Sequence, residues 1–136
     1  MESIVPYLTL NGNATDALDF YAKALNGNIE SCQTFGDAKM EVPEENRNNI
    51  LHAVLKAGDL TMMFSDSFRN ANVSQGSNLA LSLNFNELEE MEKVFGALSA
   101  GAKITMPLQD TFWGAKFGQL TDKFGFNWMF NHDYKK

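Results

Sequence analysis

The chain repeats itself, and the repeat restricts the possible folds more than any other feature of the sequence. Tyr7-Leu8-Thr9-Leu10-Asn11 is matched 73 positions later by Ala80-Leu81-Ser82-Leu83-Asn84, and Ala24-Leu25 by Ala97-Leu98 at the same spacing. Leu60-Thr61-Met62-Met63-Phe64 is matched 66 positions later by Phe126-Asn127-Trp128-Met129-Phe130. The shorter spacing puts extra residues of the first copy in the polar stretch 36–49. A unit too small to bury its own sheet is expected to pair with its copy, so 136 residues read as a single domain made of two units. The expected boundaries are 1–68 for the first unit, 69–76 for a linker and 77–136 for the second.

Periodicity and turn residues supply the elements. Residues 4–10 form a strand, and Pro6 places it at an edge or at a strand start because proline cannot donate to a ladder. Asn13 is the expected N-cap of a helix over 14–25, whose Ala14, Ala17, Leu18, Tyr21 and Leu25 recur at helical spacing; Asn26-Gly27 stop it. A strand over 28–35 follows, then the polar 36–49, expected to be the least ordered part. Strands 50–56 and 60–66 are joined by the tight turn Ala57-Gly58-Asp59, and 67–76 reads as loop. In the second copy a strand over 79–84 precedes a helix begun by Asn86 and Glu89 as a capping-box-like pair. Leu88, Met91, Phe95 and Leu98 form its stripe, Gly101 ends it, and a strand over 102–106 stops at Pro107. Residues 111–130 hold both tryptophans and read as a hairpin around Asp122-Lys123-Phe124-Gly125. The fold class is α+β, with strand–helix–strand–strand–strand occurring twice.

Alternation then assigns faces. Leu8, Leu10, Met62, Phe64, Leu79, Leu81, Leu83, Phe126, Trp128 and Phe130 are expected under the helices. Tyr7, Thr9, Thr61, Met63, Ser65, Asn78, Ala80, Ser82, Asn127 and Met129 occupy the opposite side, a mixed surface that suits the wall of a ligand cavity better than a dry core.

Composition removes several classes of function. A net charge of −6 with no Lys/Arg cluster excludes the basic patch that nucleic acid or an anionic membrane requires. No apolar run approaches the roughly 20 residues of a membrane span, and the first residues lack the features of a signal peptide, so the expected location is cytoplasmic. Cys32 has no partner for an internal disulfide and is expected to be a small buried hydrophobe.

Tyr7-Leu8 with Asn11-Gly12-Asn13-Ala14, Ala17-Leu18-Asp19-Phe20-Tyr21, His52-Ala53 with Gly58-Asp59, and Ser65-Asp66 form one set of local motifs. Phe112-Trp113-Gly114 with Gly118, Asp122, Phe124-Gly125 and Trp128 form another, more specific one. Together with the βαβββ repeat, they make the chain resemble the glyoxalase/bleomycin-resistance (vicinal oxygen chelate) superfamily, and within it the PhnB-like branch. The resemblance covers nearly the whole chain. It implies a curved mixed β-sheet around a cavity with helices on the outside, and a homodimer with its units paired or swapped. Some members of that branch are labelled 3-demethylubiquinone methyltransferases, but the Gly-rich strand-to-helix turn of a parallel sheet that S-adenosylmethionine usually requires is not in this sequence. Metal-dependent members hold a divalent ion with His or Glu on the first and last strands of each unit. Those places fall on Val5 (or Pro6, depending on one gap), Met63, Asn78 and Met129. Only Asn78 offers an oxygen, so the expectation is no metal and no other cofactor.

The residues expected to bind a ligand are Tyr7, Thr9, His52, Met63, Asn78, Trp113, Phe117 and Met129. His52, which by alternation shares a face with Ile50 and Val54, is either a general acid/base at the cavity wall or a structural histidine; His132 is assigned to the tail. Trp113 and Phe112 are offset by one, so one of them faces the cavity, with Phe117 on the side of Trp113. Gly114 and Gly118 are expected to permit a bulge or a close backbone approach. Met63 and Met129 would make an adaptable pocket floor, or fill the core. The cluster of Glu87, Glu89, Glu90 and Glu92 is a solvated helix face. No Ser/His/Asp or Cys/His nucleophile pattern is present. Two readings follow: a metal-independent protein that binds a small hydrophobic or planar molecule between its units or between two chains, and a metal-free enzyme with His52 as acid/base on a small carbonyl or aromatic substrate. A bare interaction module is a third.

Overall fold

In the computed structural model, which describes residues 1–67 and 72–135, strand–helix–strand–strand–strand occurs twice, in two compact units, Met1–Ser74 and Gln75–Lys136. Of the expected linker and the loop around it, residues 68–71 lie outside the described residues.

The first unit comprises β1 (Tyr7–Leu10), α1 (Ala14–Ala24), β2 (Asn28–Thr34), β3 (Ile50–Ala57) and β4 (Leu60–Asp66). Its mixed sheet has the order β1-β4-β3-β2, with β1 parallel to β4 and the other pairs antiparallel. Helix α1 covers one face, burying Leu8, Leu10, Leu18, Tyr21, Met62 and Phe64, with the Tyr21 and Phe64 rings stacked at 5.8 Å. Strand β1 begins later than expected, because Pro6 stays outside it and offers only its carbonyl, to the Met63 N–H at 2.9 Å. The polar stretch 36–49 is tied at both ends. Phe35 and Gly36 donate to the Asn49 and Arg47 carbonyls, and a short 3₁₀ helix, Glu44–Asn46, buries Asn46.

The second unit comprises β5 (Leu81–Asn84), α2 (Leu88–Leu98), β6 (Lys103–Asp110), β7 (Ala115–Thr121) and β8 (Asn127–Asp133), in the sheet order β5-β8-β7-β6. Met91, Phe95 and Leu98 of α2 pack on Trp128 and Phe130, with Phe95 edge-on to Phe130 at 4.9 Å. Pro107 does not end β6. The strand runs on to Asp110 through register shifts on either side of Met106, and as the outer strand of its sheet it tolerates a residue that cannot donate.

The repeat is real, but its register differs from the sequence match. Phe64 and Phe130 are equivalent, as expected, yet Leu8 pairs with Phe64 whereas Leu83, not Leu81, pairs with Phe130. Side chains alternate with period two, so a two-residue slip preserves every face and is invisible to pattern matching. The slip explains the burial. Phe85 takes the buried place of Leu10, while Leu79, expected in the core, is 76% exposed. Leu81, Leu83 and Phe126 are half-buried. The helices correspond as well, each 11 residues long, with Tyr21 and Phe95 in equivalent places against Phe64 and Phe130.

Neither expected helix cap forms. Asn13 precedes α1 and makes no side-chain cap bond, and Glu87 rather than Asn86 precedes α2, again without one. The start of α1 is held from a distance by Asp66, at the end of β4. Gly118 has no room for a Cβ, which would sit 2.8 Å from Leu108 and 3.2 Å from both Phe95 and the Met106 carbonyl, so the expected close approach is present there.

Candidate functional site

In each unit the face away from the helix is only half covered. In the first, β1 and β4 place Tyr7 beside Met63, and β3 places Val54 on the other side of Met63. His52 joins this face, but not with Ile50. A bulge pairs Gln33 with His52 and Thr34 with Ile50, so Leu51 is the extra residue and Ile50 turns inward, 2% exposed. Two residues from Val54 on the same face, His52 has its Nδ1 3.3 Å from the Tyr7 hydroxyl, with the rings 5.9 Å apart. His52 therefore has a proton-carrying neighbour, from a strand too remote in sequence for any local pattern to reveal it. Thr9 pairs with Ser65 one step along the same strands and is half-buried.

In the second unit a hollow of about 540 Å³ opens over β7 and β8, bounded by Ser77, Asn78, Thr105, Gln119, Asn127 and Met129. One wall is the segment before β5, and Asn127 holds it there. The Asn127 amide donates to the Gly76 and Leu79 carbonyls, both at 3.0 Å, and its oxygen accepts from the Thr121 hydroxyl at 2.8 Å. Nothing in the sequence singles out Asn127 for this role beyond its place opposite the core face. Asn78 and Met129 line the hollow, whereas Trp113 and Phe117 are not among its lining residues.

Trp113 does not belong to a strand. Phe112, Trp113 and Gly114 form the three-residue turn between β6 and β7, closed by the Thr111 N–H on the Ala115 carbonyl at 2.8 Å, with Gly114 at φ 87° as such turns require. Phe112 is 97% and Trp113 57% exposed, and Trp113 meets Phe117 at 6.2 Å. The turn after β7 is built differently. Asp122 is buried and accepts from the Phe124 and Phe126 N–H groups and from the Trp128 indole N–H at 2.8 Å.

Two further expectations are corrected. Cys32 is exposed on the outer strand β2, and desolvation, followed by the Asp37 and Asp19 carboxylates, raises its pKa and disfavours the reactive thiolate. His132 belongs to β8 rather than to a tail, and its Nδ1–H donates to the Phe85 carbonyl at 3.0 Å. Beside it, Tyr134 hydrogen-bonds Asp110, which raises the phenol pKa. Among the described residues no helix is long and apolar enough to cross a membrane.

The family model described as 3-demethylubiquinone-9 3-methyltransferase matches residues 2–130. The chain belongs to this PhnB-like family. This PhnB-like chain is 32% identical to protein YjdN of Escherichia coli, over 93% of the chain and 92% of that protein. Among solved structures it is similar to protein PA1353 from Pseudomonas aeruginosa, at 38% identity and TM-score 0.86 over 98% of each chain. It is also similar to a putative 3-demethylubiquinone-9 3-methyltransferase, PhnB protein, from Bacillus cereus, at 26% identity and TM-score 0.80 over 96% of this chain and 99% of that one. The fold, in two open four-stranded mixed sheets, extends to the fosfomycin resistance protein FosX from Listeria monocytogenes, at 10% identity and TM-score 0.64 over 96% and 92% of the two chains. The architecture is thus that of the glyoxalase fold. The superfamily's metal does not fit this chain's residues. Val5, Met63, Asn78 and Met129 supply one amide oxygen as a hard donor, and no three His, Cys, Asp or Glu side chains come together among the described residues.

Proposed function

We propose that the chain binds a small, planar or hydrophobic molecule without a metal, and that the hollow over the second sheet receives it. The supporting observation is the hollow itself, whose volume falls within the range of small-molecule sites and whose wall is held in place by Asn127. Methyl transfer, the activity in the family's description, is not part of this reading. Indole, a planar probe, is expected to give a saturation-transfer NMR signal with the native protein and none with Ala80→Trp, which fills the hollow from its rim. Equal signals from two folded proteins would place the probe elsewhere and refute the reading.

A second reading rests on the Tyr7–His52 contact. A histidine whose ring nitrogen lies against a hydroxyl can take and return a proton, here one α to a carbonyl. With 2-hydroxyacetophenone in D₂O, the native protein would accelerate exchange of the α-hydrogens, His52→Ala would lower that rate by roughly 10²-fold, and Tyr7→Phe by less. No acceleration by the native protein eliminates this enzymatic reading and leaves binding alone.

A further inference from the structure

We propose that the hollow over the second sheet selects uncharged planar molecules bearing an amide-like edge, with a hydrogen-bond donor and an acceptor side by side. The inference rests on the binding reading above and adds the chemistry of the ligand. No lining residue is an acid or a base. A charged ligand entering the hollow would lose hydration without meeting an opposite charge on its walls, a loss that opposes binding. The polar lining is instead built from amides and hydroxyls, and each amide offers an acceptor and two donors in one plane.

Not all of these groups are open to a ligand. Asn127 uses its amide to hold the Gly76–Leu79 segment, and Thr121 gives its proton to Asn127. Of the amides, Asn78 and Gln119 remain, with no side-chain hydrogen bond among the described residues, beside the hydroxyls of Ser77 and Thr105. Gln119 lies directly across from Met129 in the β7–β8 pairing, so an open amide and a flexible thioether sit side by side on the floor. The thioether adapts to a flat apolar body, and the amide reads an edge that carries both a donor and an acceptor. A site arranged to hydrogen-bond such an edge discriminates against a ligand lacking it, because its own polar groups are then left unpaired.

Four probes of one size separate the possibilities: benzamide, benzoate, benzamidine and toluene, each titrated into the full chain and followed by two-dimensional NMR. Benzamide is expected to bind at least about tenfold more tightly than the other three, shifting the side-chain amide signals of Asn78 and Gln119. Gln119→Leu should bring benzamide and toluene to the same level, because benzamide loses its partner and toluene no longer leaves an amide unpaired, and Asn78→Leu, at an exposed position outside any strand, provides a second variant. Toluene binding as tightly as benzamide in the native protein would overturn the amide-edge inference and leave the binding reading intact. A charged probe binding most tightly would overturn the inference in the same way. Failure of all four to bind would remove both.

Discussion

Replacing Asp122 by alanine is expected to destabilise the protein by about 3–5 kcal/mol, one of the two largest single-residue effects anticipated for this chain. The carboxylate is 4% exposed and accepts three hydrogen bonds, from the Phe124 N–H at 2.9 Å, the Phe126 N–H at 3.1 Å and the Trp128 indole N–H at 2.8 Å. Bonds to an ionised acceptor are stronger than neutral ones, and the substitution takes that acceptor away from two part-buried backbone N–H groups and a buried indole N–H. The turn would also lose its internal anchor between β7 and β8. Asparagine is nearly isosteric and tests the charge separately. Its oxygen can still accept from Phe124 and Phe126, but its NH₂ then faces the Trp128 N–H, donor against donor. Asp122→Asn should therefore cost about 2–3 kcal/mol, and less when Trp128→Phe has already removed the opposing donor. Urea unfolding of the two single variants and the double variant measures this. Additive costs would show that the Trp128 bond contributes nothing specific.

How much of this could be read from the sequence depends on how local the cause is. The hairpin between β3 and β4 was legible to the residue at β4, because Gly58 punctuates a clean alternation. The order of elements was legible for the same reason, since each helix carries its stripe and each turn its glycine or asparagine. Positions decided by pairing were not. Leu81 and Leu83 are interchangeable to any period-two pattern, and only the ladder with β8 shows which of them faces Phe130. Leu51 leaves the alternation of β3 through a bulge set by β2, so the face of His52 was right with respect to Val54 and wrong with respect to Ile50. Pro107 was overridden because β6 is an outer strand, a property of the sheet rather than of the residue. For the candidate site, Met129 could be placed on the open face from alternation, but Asn78 lies before β5 and outside its alternation, and the partner of His52 and the role of Asn127 depend on residues 45 and about 50 positions away.

Asp66 is the residue where local and distant causes diverge most, and Asp66→Ala is expected to cost about 3–5 kcal/mol, comparable to Asp122→Ala. One carboxylate oxygen accepts from the Gly12 and Ala14 N–H groups, both at 2.9 Å, and the other accepts from the Ile50 N–H at 2.8 Å. The side chain thus ties the end of β4 to the start of α1 and the start of β3, and it places a negative charge where the helix dipole favours one. A local reading of helix capping assigns that role to Asn13, whose loss would then cost about 1 kcal/mol. Here Asn13 makes no cap bond, so Asn13→Ala should change stability by less than about 0.5 kcal/mol. The contrast is measurable in chemical denaturation, and amide exchange locates it. In Asp66→Ala, the Gly12, Ala14 and Ile50 amides should lose protection first, while those of α2 respond only to global unfolding. If Asn13→Ala costs more than Asp66→Ala, the distant carboxylate is not what holds the helix, and α1 starts as an ordinary locally capped helix.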